Sequence, residues 1–231
     1  MKKSLLGFLL FAALVGASGI YFVRAAARPG AWESEIAAFE KADRLNPPQP
    51  GVIVFTGSSS IRFWETLAED MKPLPVINRG FGGSQIAQVN EYAPRIVLPY
   101  RPRAVVLYAG DNDLAWPSSK SPEQVFADFK QFVQIVHGAL PDTWIYFISI
   151  KPSILRWGSW PKFKSANEMI AAYIRTQPRA QFIDVSEPML DAQGKPRREL
   201  FRPDGLHMNA QGYAIWTAIV KPILLSRFGS S

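Results

Sequence analysis

The chain holds two histidines and no cysteine, so few side chains can exchange protons or attack a carbonyl near neutral pH. His207 closes the turn Arg202-Pro203-Asp204-Gly205-Leu206-His207 just ahead of a helix, with Asp204 three residues before it. Gly205 between them lets the backbone fold so that carboxylate and imidazole meet. A carboxylate on one ring nitrogen fixes the tautomer and frees the other nitrogen to accept a proton. The hydroxyl such a base needs is offered by Ser58, Ser59 and Ser60, where an apolar run turns through Thr56-Gly57 toward a helix. That turn leaves backbone N–H groups unpaired, and such groups stabilise negative charge. Each feature alone has a plainer reading: the serine caps a helix, and the Asp–His pair holds a loop. His137, near a helix end beside Pro141, reads as a surface residue favoured by the helix dipole.

The elements that must bring these groups together alternate along the chain. Val52–Phe55, Val76–Asn78, Ala104–Tyr108, Trp144–Ile150 and Gln181–Val185 are short apolar runs that predict strands. Between them lie helical patterns: one beginning at Ile61, one after a capping Ser84 and kinked by Pro94, one after Ser121-Pro122 with a capping-box layout, one over Ser165–Gln177, and Ala210–Leu225 after a capping Asn209. Alternating strands and helices, with strands that are apolar without alternation, predict a parallel sheet covered on both faces. The expected fold is α/β: a three-layer α/β/α sandwich with a five-stranded parallel, flavodoxin-like sheet. Ligands of such sheets bind beyond the carboxyl ends of the strands. Gly57-Ser58-Ser59, Gly80–Gly83 and Gly110-Asp111-Asn112-Asp113 should therefore share one rim.

With those residues in view, the chain resembles the SGNH/GDSL hydrolase family, named for Ser, Gly, Asn and His in four separate blocks. Gly57-Ser58-Ser59 is similar to the Gly-Asp-Ser block, which implies Ser59 as nucleophile. Asn78-Arg79-Gly80-Phe81-Gly82-Gly83 resembles the second block, and Gly83 is implied as a backbone donor to the oxyanion. Gly110-Asp111-Asn112-Asp113 resembles the Gly-x-Asn-Asp block, which implies the Asn112 amide as a further donor. Asp204-x-x-His207 resembles the final block, as orienting acid and base. The resemblance spans about residues 52–220 and implies a serine ester hydrolase, a carboxylesterase or lipase-like acylhydrolase without cofactor or metal, whose oxyanion hole is Ser59, Gly83 and Asn112. Ser58 departs from the family's Asp, and altered loop packing is expected there. The Gly-x-Ser-x-Gly elbow of α/β-hydrolases is absent around these serines. The same triad also serves an acyltransferase or a carbohydrate O-deacetylase, and a non-catalytic membrane-tethered binding module remains a third reading.

Trp116, Arg156, Trp157 and Trp160 lie after the third and fourth strands, where large aromatics and a guanidinium would face a small-molecule, lipid or glycan ester. Asp111 and Asp113 have no second ligand cluster at metal-binding spacing. The net charge of +7 does not indicate a nucleic-acid partner: Lys2, Lys3 and Arg24 supply three of those charges, leaving +4, and no helix carries a basic stripe. Residues 1–27 combine Lys2-Lys3 with the apolar stretch Leu5–Val23, which predicts a signal peptide or an N-terminal membrane anchor and so an extracytoplasmic site of action, periplasmic, secreted or tethered. Residues 28–50 form a lead-in helix over Trp32–Leu45 and a proline-rich linker, and 51–231 the hydrolase domain.

Overall fold

The computed structural model describes residues 30–118 and 120–229; the expected signal or anchor segment lies outside them. Helix α1 (Glu33–Leu45) precedes β1 (Ile53–Gly57), two single turns α2 (Ser59–Arg62) and α3 (Leu67–Asp70), and β2 (Val76–Gly80). Then follow α4 (Ile86–Ile96), β3 (Ala104–Tyr108), the turn α5 (Asp111–Leu114), α6 (Pro122–Ala139), β4 (Trp144–Ile148), α7 (Trp160–Ile174), β5 (Ala180–Ile183) and α8 (Ala210–Phe228). The five strands form one sheet in the order β2-β1-β3-β4-β5, and every pair is parallel. Among the described residues no helix is long and apolar enough to cross a membrane.

The strands are apolar throughout because successive side chains enter different cores. Val54, Val105, Leu107, Ile145 and Phe147 meet α1, α4, α6 and α7 on one face. Ile53, Phe55, Val106, Tyr108, Tyr146 and Ile148 meet Trp64, Leu67 and Met71 and the Trp216, Val220 and Leu224 stripe of α8 on the other. Helix α1 is built into the first of these cores through Trp32 and Ile36. Polar bonds fasten its outer face: Glu33 and Glu40 to Arg95, Glu35 to Arg62, and Asp43 to Arg79.

Several boundaries differ from those read in the sequence, each for a local reason. Strands β1 and β2 run on through Thr56-Gly57 and Arg79-Gly80, since a strand's hydrogen-bond ladder does not require apolar side chains. Pro94 leaves α4 unbroken through Ile96; the helix gives up only the one i→i−4 bond that an N–H at this position would make. That helix is capped by Gln85 in a box with Gln88, while the Ser84 hydroxyl donates to Phe81 O. Helix α7 starts at Trp160, with Pro161 in its first turn where no N–H is needed, rather than at Ser165.

The register sets Gly57 level with Gly80 on one side and Tyr108 on the other. Gly57 has φ +130°, and a Cβ there would lie 1.8 Å from Tyr108 O. A Cβ on Gly80 would lie 2.4 Å from the backbone N of Arg62. Bare backbone at these two positions allows the turn α2 to sit down on the sheet edge. Gly57→Ala is expected to lower stability by about 3 kcal/mol or more, since both a positive φ and a backbone clash must be relieved. Urea unfolding checks this; a midpoint equal to that of the parent protein would contradict it.

Candidate active site

Ser59 opens the turn α2, directly after β1, and its neighbour Ser58 is held by its own N–H donating to Tyr108 O at 2.9 Å. The second glycine turn leaves β2 beside it. Asn78 fastens that turn to α2, donating from Nδ2 to Ile61 O at 2.6 Å and accepting from Gly80 N at 2.9 Å. Gly83 takes φ +78°, in the region that favours glycine. Asn112, in the turn α5 after β3, donates from Nδ2 to Ser84 O at 2.9 Å. All three loops share the carboxyl rim of the sheet.

The fourth segment comes from the far end of the chain. Gly205, at φ +65°, lets the 204–207 turn close on itself. Asp204 Oδ1 accepts from the backbone N–H groups of Leu206 and His207, both at 2.9 Å, and Oδ2 lies 2.7 Å from His207 Nδ1. His207 Nε2 lies 3.0 Å from Ser59 Oγ, across a sequence separation of 148 residues. Burial pushes the Asp204 carboxyl up, but the His207 ring and the two backbone donors outweigh it and hold the group below its ordinary value. A carboxylate here accepts the Nδ1 proton, which leaves Nε2 as the acceptor facing the serine hydroxyl. The Phe63 ring meets the imidazole edge-on, with centroids 4.9 Å apart.

In the loop that follows β4, sequence reasoning named Arg156, Trp157 and Trp160 but missed Lys151. Lys151 is 1 % exposed, donates from Nζ to Leu206 O at 2.9 Å, and sits over the Phe201 ring. Burial lowers its ammonium to about 8, against the opposing pull of Asp111 and Asp204. A charged residue at the carboxyl end of a buried parallel strand was the available signal. Arg156, expected to face an anion or solvent, instead donates from Nη1 to Asp111 Oδ2 and from Nη2 to Asn112 Oδ1, each at 2.8 Å.

The tryptophans divide. Trp116 is 70 % exposed at the rim, as is Leu155 at 60 %. Trp157 is half-buried, stacks on Trp160 and carries Lys195 over its ring. Trp160 is not the substrate contact expected of it: as the first residue of α7 it packs into the core against Phe163.

Asp111 and Asp113 are taken up by Arg156 and Lys120, and among the described residues no group of three or more acidic or imidazole side chains gathers as for a metal. Ser58 Oγ, where the family has a carboxylate, is buried without a hydrogen-bond partner among the described residues. His137 is tied across to Thr143 O at 3.1 Å rather than free on the surface. A groove of about 400 Å³ lined by Phe39, Arg62, Trp64 and Asn78 lies beside strand β2 and includes neither Ser59 nor His207.

Residues 45–215 match the GDSL-like Lipase/Acylhydrolase family. The chain is 27 % identical over 194 residues to platelet-activating factor acetylhydrolase IB subunit alpha1 of Rattus norvegicus, covering 80 % of this chain and 78 % of that one. Among solved structures it is similar to a GDSL-like lipase from Bacteroides thetaiotaomicron, with TM-score 0.73, 20 % identity, and 83 % and 97 % of the two chains covered. It is also similar to a carbohydrate esterase family 3 protein from Talaromyces cellulolyticus, with TM-score 0.61, 15 % identity, and 77 % and 97 % covered.

The buried lysine makes a measurable demand. Its ammonium titrates near 8 in the folded protein against 10.5 as the reference, so between those values the native state holds fewer protons than the unfolded one and gains stability as pH rises. The stability of the parent protein minus that of Lys151→Met should climb across this window by up to about 3 kcal/mol. Urea unfolding of both proteins from pH 7 to pH 10.5 measures it. A flat difference would mean that Nζ is solvated.

Proposed function

The chain belongs to the GDSL-like lipase/acylhydrolase family and is a hydrolase acting on ester bonds, and we propose that Ser59, His207 and Asp204 are its triad, with the oxyanion held by Ser59 N–H, Gly83 N–H and the Asn112 amide. The observation that carries this reading is the continuous run Ser59 Oγ, His207 Nε2, His207 Nδ1, Asp204 Oδ2, at 3.0 Å and 2.7 Å. His207 takes the hydroxyl proton as Ser59 Oγ bonds to the ester carbonyl carbon. Asp204 stabilises the imidazolium that forms. The proton then passes to the departing alcohol oxygen as the C–O bond breaks, leaving an acyl-serine. Water, deprotonated by the same imidazole, attacks that acyl carbon; the acyl C–Oγ bond then breaks, releasing the carboxylic acid, and Ser59 Oγ takes the proton back from His207.

For the substrate we infer a short acyl group, acetyl before long chains. The support is the named activity of a relative, platelet-activating factor acetylhydrolase IB subunit alpha1. Trp116 and Leu155, exposed at the rim, supply apolar contact for the alcohol portion. Action outside the cytoplasm is proposed from residues 1–27 alone.

Ser59→Ala should abolish hydrolysis of chromogenic acetyl esters and covalent labelling by a fluorophosphonate, with mass spectrometry placing the adduct of the parent protein on Ser59. Near-full activity in that variant removes the triad. Asn112→Ala should leave a folded, weak enzyme, with kcat reduced about 10²- to 10³-fold, or roughly 3–4 kcal/mol of transition-state stabilisation. A kcat within twofold of the parent would remove Asn112 from the oxyanion hole. Across chromogenic esters from acetyl to long-chain, kcat/KM should fall with chain length; a maximum at long chains would overturn the short-acyl reading.

A further inference from the structure

The loop from Lys151 to Trp157 belongs to none of the four motif blocks, yet it touches two of them. Leu155 N–H donates to Gly205 O at 3.0 Å, inside the turn that carries Asp204 and His207. Lys151 Nζ donates to Leu206 O in the same turn. Arg156, next along, turns the other way and bridges two consecutive side chains of α5. Its guanidinium is 16 % exposed, and its partner Asp111 is 5 % exposed. One short loop thus braces the base on one side and the Asn112 amide on the other.

We propose that Arg156 is a positioning residue for Asn112, acting with Asp111 to hold the amide in the orientation the oxyanion hole requires; this rests on the triad reading above. A primary amide can rotate to exchange its oxygen and nitrogen, and only one orientation offers N–H to an oxyanion. Arg156 Nη2 can only donate, so it accepts nothing but Oδ1 as its partner. Nδ2 is thereby turned toward Ser84 O, which takes one of its two hydrogens at 2.9 Å and leaves the second for a ligand. A charged donor on the amide oxygen also draws electron density from the nitrogen, making the remaining N–H a stronger donor. Asp111 fixes the guanidinium plane through the second prong of the fork. A lysine offers a point charge and cannot span both acceptors.

The alternative for Arg156 is direct contact with an anionic group of the substrate. The two roles separate in kinetics. Arg156→Met should lower kcat for a neutral acetyl ester about 10- to 100-fold with KM changed less than about twofold. In an Asn112→Ala background the same substitution should change kcat by less than about twofold, since the group it positions is gone. Arg156→Lys should recover little of the loss. Because Arg156→Met leaves the Asp111 carboxylate buried without its partner, Asp111→Asn/Arg156→Met is measured beside it and should show the same kcat loss with a recovered melting midpoint. An equal loss in the Asn112→Ala background, a loss falling on KM, or an unchanged kcat in Asp111→Asn/Arg156→Met would each overturn the proposal. The triad reading fails separately, through Ser59→Ala.

Discussion

At the carboxyl edge of the sheet, three backbone segments come level with one another: Gly57 pairs with Gly80 on one side and Tyr108 on the other. Neither glycine position has room for a side chain. The turn carrying Ser59 can rest directly on Gly80, and the glycine-rich turn and the Asn112 turn leave the sheet at the same height. A parallel sheet is suited to this because all its strands end on one side, so loops distant in sequence are gathered without any contact between them being required in advance. The remaining task is to bring one more segment over that rim. The chain does so with a self-contained turn, in which Asp204 accepts both of the backbone donors that follow it before it meets the His207 ring.

Behind the rim lie Lys151, Asp111 and Arg156, largely buried, beside the exposed carboxylate of Asp204. Asp111 and Asp204 face Arg156 and Lys151, and each cation is also bonded to a carbonyl or an amide oxygen. Buried ions are costly unless paired and hydrogen-bonded; Arg156 and Asp111 pair directly, while Asp111 Oδ1 has no hydrogen-bond partner among the described residues. Removing Arg156 or Asp111 leaves the other without its partner. The bonds of this cluster end on the Asn112 amide oxygen and on Leu206 O in the 204–207 turn, the two places proposed to hold the oxyanion and the base. A preorganised donor need not reorient as charge develops on the substrate oxygen.

The parallel fold was legible because apolar runs without alternation, separated by helical periodicity, admit few other architectures. Strand order and register were not, since they follow from how helices pack across both faces. Asp204 and His207 could be paired from their own turn, whereas choosing Ser59 among three serines and Asn112 as a donor rested on the resemblance to the four family blocks. What Arg156 and Lys151 bond to was not legible. Their roles depend on partners 45 and 55 residues away in sequence, and nothing local distinguishes a bridging arginine from a solvated one. Trp160 misled for a related reason: an aromatic beside a loop reads as a contact surface, whereas Pro161 in a first helical turn was the better guide to a buried helix start.

The lead-in helix precedes most of the residues that match the family, yet it reaches the catalytic rim. The Trp32 indole donates to Gly82 O at 2.8 Å and its ring meets Phe81 edge-on, while Glu35 holds the Arg62 guanidinium that lies over Gly82. Gly82 adjoins the glycine proposed to bind the oxyanion. The start of α1 therefore sits beside the glycine-rich turn at the carboxyl rim. A change at Trp32, 50 residues from Gly82 in sequence, would therefore be felt in the backbone next to Gly83.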